Sequence, residues 1–142
     1  MRVTCDSDVL SNFGRRSGRG AREVHDAIQA GTLSLNVICL FEVRGGMEDM
    51  ARVHAFDRAV AHLPVLEFTR EAAFRAGDLW RALRRAKKTI AIRDLFLAAL
   101  ADVHRVRLLT ADHDFVPLRD LGLDLAIIEK ESQLSSPQLP DA

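Results

Sequence analysis

Cysteine is scarce in this chain of 142 residues, and the two that occur, Cys5 and Cys39, fit neither a CxxC metal clip nor a disulfide framework. Both lie in apolar surroundings and read as buried free thiols. The five histidines, His25, His54, His62, His104 and His113, show no HExxH pattern or comparable ligand spacing, so a zinc site is not expected. Long hydrophobic runs are missing too: no apolar stretch approaches the roughly 20 residues that span a bilayer. The opening MRVTCDSDVL meets an acid at Asp6 before any such run develops and does not read as a signal peptide. A cytoplasmic protein with no membrane contact is the expectation. Nor is there an excess of either charge, because 20 Lys and Arg balance 20 Asp and Glu. A zero sum ordinarily argues against a nucleic-acid partner, whose phosphates are bound by Lys and Arg.

What is present qualifies that argument. Apolar residues make up 48% and charged residues 28%, the balance of a globular domain, and the length suits one domain with a sizeable core. The charges are unevenly placed. Arg15, Arg16, Arg19 and Arg22 share a Gly-rich stretch with no acid, and Arg81, Arg84, Arg85, Lys87 and Lys88 form a second basic run. A negative pocket rimmed by positive charge would also sum to zero. The second run reads equally well as the solvated end of a helix.

Strand and helix signals alternate along the chain. RVTC (2–5) is β-prone, and Asp6, Ser7 and Asp8 offer N-caps to the segment that follows. Gly14 to Gly20 reads as a flexible, arginine-bearing loop, and a helix from about 21 to 30 stops at Gly31. LSLNV (33–37) predicts a second strand, then a helix carrying Glu42 and broken at Gly45 and Gly46. Apolar residues spaced three to four apart predict a helix over 47–63, with Pro64 ending it. PVLEF (64–68) predicts a strand and Thr69 opens a helix to about Lys87, with Phe74, Leu79, Trp80 and Leu83 on or near one core or dimer face. Asp94 is expected to cap a strongly apolar helix that feeds the strand RLLT (107–110). Asp114 is expected to cap a short helix ending near Gly122, and LAII (125–128) predicts the last strand. Residues 1–131 would form the domain, and 132–142, polar and Pro-bearing, a disordered tail.

Such alternation favours a central, mostly parallel sheet of four to five short strands flanked by helices, with ligands bound at the carboxyl ends of the strands. Asp6 follows the first strand and Asp112 follows the strand at 107–110. Glu42 lies near the start of the helix after the second strand, and Asp94 starts a helix running antiparallel to the strands. All four carboxylates therefore belong at one edge. Unneutralised, they would repel one another and raise each other's pKa, so a cation is expected among them. Oxygen ligands of this kind suit Mg²⁺ or Mn²⁺, and such a metal with water and phosphate oxygens performs phosphodiester hydrolysis. Taken singly, each Asp also reads as an ordinary cap or turn residue.

In this order and spacing, VTCDSDVL, FEVRGG with Glu42, IAIRDLFLAALA around Asp94 and LLTADHDF around Asp112 resemble the PIN domain, and within it the VapC-type toxins of toxin–antitoxin pairs. The resemblance spans roughly Val3 to Ile128. It implies a three-layer α/β fold and an Mg²⁺- or Mn²⁺-dependent endoribonuclease, often a homodimer, inhibited by a small cognate antitoxin. Asp6, Glu42, Asp94 and Asp112 would be the metal-binding, catalytic acids. Ser7 and Thr110 match hydroxyl positions that would orient them, and Asp114 is read as a cap beside the ligands. Arg15, Arg16 and Arg19 would hold RNA or an antitoxin carboxylate. Asp8 stands where the family often has Asn or Ser, and Asn36 where Ser is common. Two alternatives remain open. One is a phosphatase of the haloacid dehalogenase type, drawn from the DxD of Asp6 and Asp8 but without its expected Thr or Val and Lys. The other is a catalytically silent PIN-like interaction module.

Overall fold

A computed structural model describes residues 1–135. The elements run β1 (Val3–Cys5), α1 (Ser7–Gly14), β2 (Ser17–Arg19), α2 (Ala21–Gln29), β3 (Leu35–Asn36), α3 (Val37–Gly45), α4 (Met50–Val60), β4 (Val65–Leu66) and α5 (Arg70–Arg85). There follow α6 (Ile92–Val103), β5 (Arg107–Thr110), a 3₁₀ turn (His113–Phe115), α7 (Val116–Asp120), β6 (Leu125–Ile127) and β7 (Glu131–Gln133).

The expected parallel sheet is present. β1 pairs with β5 and β5 with β6, β3 pairs with β4, and a parallel bridge from Val3 to Leu33 sets β3 beside β1. The spatial order is thus β4-β3-β1-β5-β6, with every neighbour parallel. β1 sits where the chain first turns to one side of the sheet and later to the other, the position at which open α/β sheets form a crevice at their carboxyl edge.

Side-chain alternation in the strands sends successive residues to opposite faces, and each face has its own core. Leu108 packs with Leu79, Leu83, Leu95, Phe115 and Leu118 from α5, α6 and the segment after β5. Leu109, its neighbour, packs instead with Cys5, Val9, Val24, Leu35 and Cys39 on the side of α1, α2 and α3. The strands are two to four residues long, so the two helical layers rather than strand length hold the sheet. Cys5 and Cys39 are free and buried, as expected. Their mutual contact and burial push the Cys39 thiol well up.

Several expectations are corrected. The stretch from Gly14 to Gly20 is not a free loop, since Ser17–Arg19 forms β2. Its partner is β7, antiparallel, with Gly18 opposite Ser132, and Leu134 beyond it is buried. Part of the segment expected to be a disordered tail is therefore folded onto the domain, while residues 136–142 lie outside the described ones. Phe74 and Trp80 are 69% and 49% exposed, off the buried stripe of Ala72, Ala76, Leu79 and Leu83. The basic run that closes α5 is solvated, with Arg81 paired to Asp78 at 2.7 Å and Arg84 stacked over Trp80. Cationic side chains there complement the negative end of the helix. No helix among the described residues is long and apolar enough to cross a membrane.

Asn36 joins the layers. Fully buried, it caps α3 by accepting from the Cys39 amide at 2.7 Å, while its Nδ2 donates to Thr4 Oγ1 and to the Cys5 carbonyl, both at 2.9 Å. One amide thereby fixes the end of β1 against the start of α3. Asn36→Ala removes the cap and strands a buried carbonyl, and should cost about 2–4 kcal/mol in urea denaturation. A loss below about 0.5 kcal/mol would mean that water replaces the amide without penalty.

Candidate metal centre

The carboxyl edge collects the expected acids by separate local causes. Asp6 leaves β1 in extended geometry and caps α1, its Oδ1 accepting from the Val9 amide at 3.0 Å. Its Oδ2 accepts from the Thr110 hydroxyl at 2.5 Å, across the β1–β5 pair. The Thr110 oxygen in turn accepts from the Asp112 amide at 3.0 Å, so one hydroxyl links two of the acids. The bonds that orient Asp6 come from Val9 and Thr110 rather than from Ser7, which begins α1 half-buried.

Three acids differ from expectation in how they are placed. The N-cap of α6 is Ala91, so Asp94 is not the cap but the third residue of the helix, still in its first turn. Likewise Asp112, not Asp114, caps the 3₁₀ turn, accepting from the Asp114 amide at 2.8 Å. Asp114 is exposed beside it. Glu42, expected near the start of its helix, lies in the middle of α3 because Asn36 caps the helix well before it, with its Oε2 bound to Arg93 Nη1 at 3.1 Å and the carboxylate side chain only 21% exposed. Arg93 went unrecognised in the sequence, although it directly precedes Asp94.

Burial and nearby charge act together on two of the acids. Asp6 is 8% exposed, and burial pushes its pKa up from 3.8 to about 6 against the opposing bonds from Thr110 and Val9, with Asp8 and Asp112 adding repulsion. Asp94 also rises to about 6, through desolvation first and then the charges of Asp112, Glu42, Asp6 and Asp114. Among the described residues no three His, Cys, Asp or Glu side chains close tightly enough to encage an ion. The geometry is open, with Asp94 within electrostatic reach of Asp112, Glu42 and Asp6. A hard cation that keeps part of its water shell and takes only a few carboxylates fits this donor set better than a cage-forming one.

Asp8 is exposed and lines a cleft of about 530 Å³ together with Asn12, Arg15, Arg19, Ala111, Asp112 and His113. Arg16, expected to face a ligand with Arg15 and Arg19, turns elsewhere: its guanidinium donates to the Ser135 carbonyl, with Nε at 2.8 Å. The backbone of Arg16 is left-handed, at φ 61°, which separates its side chain from that of Arg15.

A family model for the PIN domain matches residues 3–120. The chain belongs to the PIN-domain family. Ribonuclease VapC10 of Mycobacterium tuberculosis is 33% identical over 108 residues, covering 76% of this chain and 80% of that protein. VapBC-5 of the same species, a member of the VapBC family of toxin–antitoxin systems, is 28% identical with a TM-score of 0.57 over 69% of this chain and 82% of that one. VapBC2 of Rickettsia felis, solved with a promoter DNA fragment, shares the fold at a TM-score of 0.73, with 16% identity over 91% of this chain and all of that one. A PIN domain spanning β1 to α7 leaves no support for the haloacid dehalogenase alternative.

The raised pKa values carry a sign. A carboxyl that holds its proton more tightly folded than unfolded contributes stability in full below pH about 4, and that contribution is lost as pH rises through about 6. In EDTA, the melting temperature of the wild type should therefore fall between pH 4 and 6.5 relative to that of Asp94→Asn. Mn²⁺ competes with these protons, so it should raise the melting temperature at pH 7.5 and have little effect at pH 4.5. Equal Mn²⁺ stabilisation at both values would contradict binding at these acids.

Proposed function

We propose that this PIN domain is a VapC-type toxin, a divalent-metal-dependent endoribonuclease that hydrolyses RNA phosphodiesters and is held in check by a small cognate antitoxin. The observation that carries the reading is the raised Asp94, which feels Asp112, Glu42 and Asp6 although four separate segments supply them. Strongly shifted carboxyls at the sheet's switch point are what a cation-binding site requires and what a purely structural edge avoids. The relative named a ribonuclease and the neighbours from toxin–antitoxin systems support the same activity and the same class of partner.

Asp6, Glu42, Asp94 and Asp112 would hold the ion, Mg²⁺ or Mn²⁺. When bound, it supplies Lewis-acid polarisation of the phosphodiester and acidifies water. The chain's own residues do the positioning. Thr110 donates its proton to Asp6 Oδ2 and fixes the carboxylate plane, and the Asp114 amide fixes Asp112. Arg93 restrains Glu42 from the solvent side. Ser7 and Asp114 flank Asp6 and the 3₁₀ turn, and of the two only Asp114 bonds an acid, through its amide to Asp112. The apolar Phe74 and Trp80, exposed on α5, supply surface for the homodimer that the family resemblance implies.

RNA cleavage by wild type and Asp94→Asn, each with Mn²⁺ or with EDTA, tests the assignment. Loss of the carboxylate should lower the rate by about 100-fold or more while leaving the circular dichroism spectrum unchanged. Equal cleavage by both proteins, or full activity in EDTA, would remove the acids from the chemistry.

A further inference from the structure

The four arginines between residues 15 and 22 divide into two pairs with different surroundings. Arg15 and Arg19 line the cleft that opens beside Asp112. Arg16 and Arg22 turn to the carboxyl-terminal segment: Arg16 to the Ser135 carbonyl, and Arg22 to the Gln133 carbonyl at 3.2 Å. Backbone contacts reinforce the second pair. The Leu134 amide donates to the Arg16 carbonyl at 2.8 Å, and Ser132 Oγ accepts from the Arg22 amide at 3.0 Å while donating to the Gly18 carbonyl at 3.2 Å. Leu134 is 6% exposed and anchors the end of β7.

β2 is equally constrained from beneath. Asn12 on α1 donates from Nδ2 to the Arg19 carbonyl at 2.9 Å and accepts from Arg15 Nη2 at 2.6 Å, so one amide holds the Arg15 guanidinium and the Arg19 main chain. Gly18, at φ +109°, lies so close that a Cβ there would meet Asn12 Cγ at 2.7 Å, and at Gly20, at φ +88°, it would meet Val9 Cγ1 at 2.6 Å. Only glycine permits β2 to lie this low on α1. The arginine-bearing segment is thus clamped between α1 and β7, a costly arrangement for side chains that merely need solvent.

The cleft carries both signs of charge. Asp8 and Asp112 line it together with Arg15 and Arg19, and His113, which also lines it, is paired with Glu129. A phosphodiester at the acids would set a neighbouring phosphate of the same strand towards the guanidinium groups, where fixed donors lose less freedom on binding than mobile ones.

We propose that β7 is a strap that holds β2 against α1 so that Arg15 and Arg19 bind the backbone of the RNA strand next to the site of cleavage, with Asn12 as their positioning residue. The inference rests on the nuclease reading above. It separates Arg15 and Arg19, which touch RNA, from Arg16 and Arg22, which hold the strap.

The strap and the charges make opposite forecasts for one variant. Ending the chain at Lys130 removes Glu131 and Asp141 and no Lys or Arg, so the protein becomes more positive. Simple electrostatics would then tighten RNA binding, whereas loss of the strap weakens it. Affinity for a fluorescein-labelled single-stranded RNA 12-mer, measured by anisotropy in EDTA over a salt series, decides between them. The truncated chain and the point variant Leu134→Ser should each raise Kd about fivefold to tenfold. Arg15→Ala/Arg19→Ala should raise it at least as much and flatten the log–log salt slope by about 1.4, the value for two phosphate contacts on a single strand. Arg81→Ala/Arg84→Ala/Lys88→Ala should leave the slope within about 0.3 of wild type. Binding by Leu134→Ser or the truncated chain as tight as wild type, in a preparation whose wild type cleaves RNA with Mn²⁺, overturns the strap alone. An unchanged slope in Arg15→Ala/Arg19→Ala overturns the RNA contact and leaves the cleft to a protein carboxylate. A wild type that neither binds nor cleaves RNA removes the nuclease reading as well.

Discussion

A carboxylate kept almost out of water at the end of the central strand is the constraint around which the rest is arranged. Capping α1 would need one oxygen of Asp6, and a surface Asp would serve. Instead the second oxygen is also engaged, by a buried threonine from β5. Both bonds favour the charged form, yet desolvation and the neighbouring acids outweigh them and the group still titrates near 6. The fold thus retains at its centre a charge it stabilises incompletely. That imbalance is tolerable in the presence of a cation, and it is the physical reason to treat the edge as a site rather than a set of caps.

The parallel sheet makes such a site possible with little backbone. Because every neighbouring pair is parallel, the carboxyl ends of β1, β3 and β5 face the same way, and the antiparallel course of α6 brings Asp94 to them. Strands of two to four residues suffice, since the separate packing of Leu108 and Leu109 into opposite helical layers fixes the register. The balanced formal charge then conceals a division: acids at the edge, two arginines lining the adjoining cleft, and the basic end of α5 in solvent.

Much of this was legible in the sequence, for identifiable reasons. Strands such as VTC and RLLT end in Asp6 and, two residues past Thr110, Asp112, and strand ends are marked by local composition. The order of elements follows from alternating periods, and the fold agrees with it. Helix starts were less legible: nothing at Ala91 signals a cap, whereas Asp94 does, so the predicted start fell three residues late. In the D-x-D of Asp112 and Asp114 both residues are good caps, and which one serves depends on where β5 releases the chain. β7 was invisible for a different reason. Its residues, Glu131, Ser132 and Gln133, have no apolar alternation, and its order comes from pairing with β2 and from two distant guanidinium groups. Contacts across more than 100 residues leave no local mark. Phe74 and Trp80 erred in the opposite direction, because helical spacing places residues near a stripe without saying that the stripe reaches them.

Two asparagines show why amides rather than carboxylates serve next to this edge. Asn36 and Asn12 each use one oxygen as an acceptor and one nitrogen as a donor to a main-chain carbonyl. An aspartate at position 36 would cap α3 equally well, but it would present an acceptor to the Cys5 carbonyl and bury a further negative charge one residue from Asp6. With Asp6 and Asp94 already pushed up by burial and then by neighbouring acids, that charge would raise further the groups proposed to hold a cation. A serine would keep the cap but is too short to span from α3 to both Thr4 and Cys5. Asparagine meets both demands, a cap and a donor, without adding to the repulsion that the site must already accommodate.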